Sequence, residues 1–172
     1  MLNFPMRHSR GFTLTELVMV MVILSIIAVG SFVVISSYKT HELYAAAERI
    51  ATDLRYAKNS AQSSGSWHGV LFDVSPTNTY TVYSTDGTAD TNLSDPLDSN
   101  LVYTVNVYSN YRGVSITGAS FGTGSKVEFN PFGTPYDDKT GSALTTAGII
   151  TLSLGSESRI IYIEPDTGRI HL

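Results

Sequence analysis

The chain changes its hydrophobic period twice. From Leu17 to Ile35 it is an uncharged apolar run, interrupted only by Ser25, Gly30 and Ser31. Nineteen such residues rise about 28 Å as an α-helix, close to the thickness of a bilayer core. From His41 to Ser64 the apolar residues Leu43, Ala47, Ile50, Leu54, Ala57 and Ala61 recur in alternating steps of four and three. This spacing predicts a helix with one narrow apolar stripe, and Glu48, Arg49, Thr52, Arg55 and Asn59 on the other side. Ala45, Ala46, Ala47 and Ala51 let another layer approach closely. No proline separates the two patterns, so one helix of about 80 Å is predicted from about Phe12 to Ser64, with Gly65 as its stop. Gly30-Ser31 and Ser36-Ser37 are its weak points.

After Gly65 the period becomes that of strands. Trp67–Asp73 and Thr79–Ser84 read as a pair joined through Pro76-Thr77-Asn78. Leu101–Tyr108 alternates, with Leu101, Tyr103, Val105 and Val107 on one face. Val114–Thr117, Lys126–Phe129, Ile149–Leu154, Arg159–Ile163 and Arg169–Leu172 are further candidates, separated by glycine- and proline-bearing breaks. Seven or eight short strands after one long helix predict an α+β fold, with antiparallel sheets packed on the helical stripe.

Charge adds a topology. Arg7 and Arg10 precede the apolar run and no basic residue follows directly, which predicts a single-pass membrane segment with a cytoplasmic N-terminus. The rest of the 172 residues has room for one globular domain outside the cytoplasm. The chain has no cysteine, so neither a disulfide framework nor a thiolate metal site is available. Glu16 is the odd residue, because a carboxylate costs on the order of 3 kcal/mol at mid-bilayer. Two plainer readings compete for this end. A secretory signal peptide would be cut near Ala28-Val29-Gly30, but its apolar core is usually about 7–15 residues and does not open on a glutamate. A plain anchor would let Glu16 snorkel to the interface.

Gly11-Phe12-Thr13-Leu14-Thr15-Glu16, placed between the basic stub and the apolar run, resembles the class III signal of type IV prepilins and type II secretion pseudopilins. The resemblance implies that a membrane-embedded prepilin peptidase cuts between Gly11 and Phe12 and methylates the new amine on Phe12. It also implies that Glu16 pairs with the Phe12 amine of a neighbouring subunit during filament assembly. Residues 1–11 are then a leader, 12–38 a transmembrane and filament-core helix, and 39–172 a periplasmic or extracellular domain, helical over 39–65 and sheet over 66–172. Losing the leader removes Arg7 and Arg10 and leaves nine basic against fifteen acidic side chains, a net charge of −6.

The remaining order resembles the FimT/GspH-type minor pilins and pseudopilins. The carrying segments are Leu54-Arg-Tyr-Ala-Lys58-Asn-Ser-Ala61, Val70-Leu-Phe72-Asp73, Phe129-Asn-Pro131-Phe-Gly133 and Thr167-Gly168-Arg169. Implied partners are the prepilin peptidase, other pilins or pseudopilins in a helical filament, and the inner-membrane assembly platform. A minor pseudopilin of type II secretion is the preferred reading, and a minor pilin of a type IV pilus is the alternative.

No catalytic constellation is visible, and no cofactor is implied. His8, His41, His68 and His171 lack metal-ligand spacing, and Gly122-Thr-Gly-Ser-Lys126 lacks the register of a phosphate loop. Asp86, Asp90, Asp95 and Asp98 gather oxygen ligands up to Asn100 but miss the spacing of a calcium loop, so a solvated acidic loop is the better reading. Some FimT-like competence pilins bind DNA through a C-terminal Gly-Arg-x-Arg. Gly168-Arg169-Ile170-His171 lacks the second arginine, and residues 66–172 hold five basic against eleven acidic side chains, a poor setting for nucleic acid. Pairing of Arg169 with Asp166 or Glu164 is the plainer expectation.

Overall fold

The computed structural model describes residues 11–96 and 98–172, and of 29–37 the backbone alone. Residues 1–10, with the basic stub, and the side chains of 29–37 in the apolar run therefore lie outside the described residues, as does Leu97. Two compact units divide at Tyr38, Met1–Tyr38 and Lys39–Leu172. Helix α1, Leu14–Ser64, contributes to both, and its backbone stays helical through Gly30-Ser31 and Ser36-Ser37.

In the first unit the large apolar side chains from Leu14 to Ile27 are exposed. Among the described residues no helix is long and apolar enough to cross a membrane. The expected span Leu17–Ile35 passes through 29–37, whose side chains lie outside the described set.

The second unit shows the predicted α+β arrangement. All six stripe residues, Leu43, Ala47, Ile50, Leu54, Ala57 and Ala61, are buried, joined by Ala46 and Ala51. A fully buried leucine or isoleucine contributes about 1.5–3 kcal/mol, so the large residues drive docking while the alanines set its closeness. Leu54→Ala should cost about 2–5 kcal/mol. Gly65 stops the helix at a φ of 67°, its N–H bonded to the Ala61 carbonyl.

Among the described residues ten strands follow, all paired antiparallel. They are β1 (Trp67–Asp73), β2 (Thr79–Thr85), β3 (Asp90–Asn92), β4 (Thr104–Asn106), β5 (Ser115–Ser120), β6 (Lys126–Phe129), β7 (Pro135–Tyr136), β8 (Gly148–Leu154), β9 (Glu157–Ile163) and β10 (Ile170–His171). One sheet has the order β3-β2-β1-β6-β7, with β4 beside the other half of β2; the second has the order β10-β9-β8-β5. Val70, Phe72, Tyr80, Val82, Val127 and Phe129 of the first sheet share one core with the stripe and with Ile116, Ile150, Leu152, Ile161 and Ile163 of the second.

Asn78 welds the two sheets. It holds a positive φ of 55° in the turn between β1 and β2, its side-chain carbonyl accepts the Ile116 N–H of β5 at 2.9 Å, and its own carbonyl accepts the Val107 N–H.

Where a single strand was expected over Leu101–Tyr108, the chain makes β4 and then a helical turn, α2 (Val107–Asn110). The Asn106 side chain accepts the Ser109 N–H at 2.9 Å and so caps that turn. Tyr103, Val105 and Val107 face the core as their alternation implies, but Leu101 is exposed. Strands β3 and β7 were not expected; Asp90-Thr91-Asn92 and Pro135-Tyr136 carry no apolar alternation.

Candidate functional site

Thr13 and Glu16 form a reciprocal cap at the head of α1. Thr13 Oγ1 accepts the Glu16 N–H at 3.2 Å, and Glu16 Oε2 accepts the Thr13 N–H at 3.1 Å. This is a capping box, with Thr13 as N-cap and Glu16 three residues on, so two helix-end amides find partners. The carboxylate also sits where the positive end of the helix dipole favours an anion. The helix starts at Leu14 rather than Phe12 for this reason. Gly11 and Phe12 precede it as exposed, non-helical chain, with nothing within 4 Å of where a Gly11 side chain would project. The bond between them is sterically open.

At the far end of α1, Lys58, the turn Asn130–Thr134 and the turn Glu164–Arg169 close on one another. Lys58 Nζ donates to the Thr167 carbonyl at 2.8 Å and the Gly168 carbonyl at 3.2 Å, and Gln62 Nε2 donates to the Phe132 carbonyl at 3.2 Å. Partial burial pushes the Lys58 ammonium down from its ordinary range. Three of the segments singled out in the sequence thus meet at one point. Arg169 projects from this lock, exposed, beside an open groove of about 540 Å³ lined with Lys58, Glu164 and Thr167.

The expected pairing of Arg169 with Asp166 or Glu164 is corrected here: among the described residues Arg169 forms no ion pair, and Glu164 faces His171 Nε2 at 3.7 Å. The positive φ of Asp166 (58°) and Gly168 (60°) curls the turn so that the Glu164 N–H meets the Arg169 carbonyl, a backbone bond instead of a side-chain one. With Lys58 committed to carbonyls and Glu164 in the groove, Arg169 stands as one exposed cation without the row of charges a phosphate backbone needs.

Asp86 and Asp98 of the acidic loop use their carboxylates on the loop itself. Asp86 Oδ1 accepts from the Thr88 hydroxyl, the Thr88 N–H and the Ala89 N–H, which together pull its pKa down to about 2. Asp98 accepts from Asn100 in the same way. Among the described residues no three His, Asp or Glu side chains group to hold a metal ion.

Two buried carboxylates escaped the sequence reading. Asp53 lies on the buried stripe, 3% exposed, and accepts from the Tyr80 hydroxyl at 2.5 Å, the Tyr103 hydroxyl at 2.8 Å and Arg49 Nε at 2.9 Å. Glu128 is 1% exposed on the other face of the first sheet, where Tyr83, Lys126 and the Lys139 N–H donate to it. Only Asp53 had a signal: it falls three residues after Ile50 and four before Ala57, with Arg49 one turn back.

The N-terminal residues 6–32 match the prokaryotic N-terminal methylation motif, and residues 46–167 match the family model of the type II transport protein GspH. No curated protein matches in sequence. The fold is similar to the minor pseudopilin EpsH of the Vibrio cholerae type 2 secretion system, with a TM-score of 0.54 at 15% identity over 76% of this chain and 94% of that one. It is also similar to the type IV minor pilin FimU of Pseudomonas aeruginosa, with a TM-score of 0.52 at 17% identity over 77% of this chain and 89% of that one. At such identities these likenesses speak to the fold alone. The family model covers most of the chain, and the chain belongs to the GspH family of type II transport proteins.

Proposed function

We propose that the chain is a minor pseudopilin, a structural, non-catalytic subunit of the type II secretion pseudopilus that supports protein export across the outer membrane. The observation that carries this reading is the GspH-family domain lying behind an N-terminal methylation motif in one chain. The absence of cysteine and the incomplete Gly168-Arg169-Ile170-His171 terminus favour secretion over the type IV pilus and DNA uptake.

Prepilin peptidase removes residues 1–11 by cutting at the open Gly11–Phe12 bond and methylates Phe12. Residues 12–38 anchor the protein in the inner membrane with a cytoplasmic N-terminus and later enter the filament core. The exposed apolar side chains from Leu14 to Ile27 suit either surrounding. Residues 39–172 form the periplasmic domain. Glu16, held near the helix head by Thr13, supplies the carboxylate for the Phe12 amine of a neighbouring subunit. A clean deletion should trap secreted enzymes in the periplasm and leave twitching and transformation intact. Normal secretion with lost twitching would instead assign the subunit to a type IV pilus.

A further inference from the structure

We propose that Asn92 is an acceptor for N-linked glycosylation by an oligosaccharyltransferase of the bacterial, acid-requiring type. Residues 90–94 read Asp90-Thr91-Asn92-Leu93-Ser94. They combine the Asn-x-Ser acceptor pattern, with no proline at x, and a carboxylate two residues before the asparagine.

The structure puts the three recognised side chains together. Residues alternate faces along a strand, so Asp90 and Asn92 lie on one side of β3, opposite Thr85 and Tyr83 of β2, and Ser94 follows just beyond the strand, in an isolated bridge to Val102. All three are exposed, while Leu93 points the other way and packs against the core. Among the described residues the Asn92 side-chain amide makes no hydrogen bond, so nothing has to be broken to free it.

Strand β3 is the outer edge of its sheet, with three residue pairs to β2, and the residues after it are tied by backbone bonds of Leu93 to Val82 and Tyr103 and of Asp95 to Leu101. To reach an enzyme's acceptor groove this edge must open locally, and only its short pairing and the few bonds of Leu93 and Asp95 have to give. Asp90 gives the segment the charge such an enzyme selects.

The donor is an oligosaccharide carried on a polyprenyl diphosphate. Asn92 Nδ2 attacks the anomeric carbon of its first sugar. The anomeric C–O bond breaks, a C–N bond forms, one amide proton is lost to the enzyme's base, and the polyprenyl diphosphate leaves with the bonding electrons. No oxidant or reductant is involved. The modification (from a donor facing the periplasm) would place a bulky hydrophilic group on the outer face of the domain, away from helix α1.

The test uses the purified full chain in detergent, incubated with a purified bacterial oligosaccharyltransferase and its lipid-linked oligosaccharide, and read by intact mass and peptide mapping. The reaction needs no assumption about location or about which filament the subunit joins. The expected result is a mass gain of one oligosaccharide on Asn92, lost in Asn92→Gln, Asp90→Ala and Ser94→Ala, and kept in Asp98→Ala. A synthetic peptide spanning 88–96 serves as the control for the enzyme. A peptide that is modified while the folded chain is not, or a gain that survives Asn92→Gln, would overturn the proposal.

Discussion

The Tyr83 hydroxyl donates a 2.6 Å hydrogen bond to Glu128 Oε1 across Gly69, which separates the two residues in the first sheet. Gly69 pairs with Tyr83 on one side and Glu128 on the other, and a Cβ added there would lie 2.6 Å from Tyr83 Cζ and 2.8 Å from Glu128 Cγ. The glycine is therefore a space requirement. Gly69→Ala should destabilise the domain by about 1–3 kcal/mol through overpacking. Tyr83→Phe should cost about 1–2 kcal/mol, because Lys126 and the Lys139 N–H still satisfy Glu128. Urea unfolding of the three proteins checks both, and a neutral Gly69→Ala would show that Tyr83 can swing away freely.

Asp53 is the second polar anchor, and it ties α1 to β2 and to the segment before β4. Removing its carboxylate leaves the Tyr80 and Tyr103 hydroxyls without their acceptor in the core. Asp53→Ala should cost about 3 kcal/mol, more than Tyr80→Phe or Tyr103→Phe at about 1–2 kcal/mol each. The pair of tyrosine substitutions together should fall short of additivity, since they share one acceptor. Tyr80→Phe and Tyr103→Phe as stable as the unsubstituted protein, beside a costly Asp53→Ala, would argue that Asp53 acts through Arg49 alone.

Both anchors set an alkaline limit. Burial, then the charge of and hydrogen bond to Asp53, push the Tyr80 phenol above its ordinary range; burial and the hydrogen bond to Glu128 do the same to Tyr83. A folded-state pKa raised above the unfolded one stabilises fully below the unfolded value of about 10 and loses that contribution as pH rises beyond it. Absorbance titration should show exposed tyrosines ionising near pH 10 and a later group released only as circular dichroism reports unfolding. Simultaneous ionisation of all ten tyrosines in a natively folded protein would contradict this.

Gly168 has the strictest requirement at the C-terminal lock. Its φ is 60°, and a Cβ there would clash with the Gly133 carbonyl oxygen and press on Phe129 and Pro135. The left-handed conformation alone costs an alanine about 1–2 kcal/mol, and the backbone clash adds to it. Gly168→Ala should lose more stability than Lys58→Ala, which removes two hydrogen bonds to carbonyls that can turn to water. Thermal melts of the two variants give the comparison, and the reverse order would mean that the turn can shift off Gly133.

The sequence carried the fold where periodicity is a physical signal. The stripe from Leu43 to Ala61, the β1–β2 pair and strands β6, β8 and β9 were legible because burial selects apolar residues at the spacing of each element. Asp53 and Glu128 were not, since a pattern read from apolar residues passes over a carboxylate whose partners are distant in the chain. The contact between Gly133 and Gly168 was equally hidden: both glycines stood out in their own segments, but nothing local says that the turns touch. At the N-terminus the order Gly11, Phe12, Glu16 was plain, and the role of Thr13 as the partner of Glu16 emerged only with the helix end.

That partnership makes Glu16 a cap within its own helix, separable from its proposed role as a charge for a neighbour. A capping box accepts glutamine in place of glutamate, so Glu16→Gln keeps the Thr13 bonds and loses only the charge. Glu16→Leu loses both and makes the segment more apolar. The proposed cleavage at Gly11–Phe12 would free a positive amine, and an amine entering an apolar filament core unpaired is costly. If the charge serves assembly, both variants should be inserted and cleaved normally, as intact mass would show, and both should be missing from sheared filaments. If the cap is what matters, Glu16→Gln should assemble at normal levels and Glu16→Leu should fail. Normal filaments with Glu16→Leu would remove both roles and leave a carboxylate that merely reaches for the membrane surface.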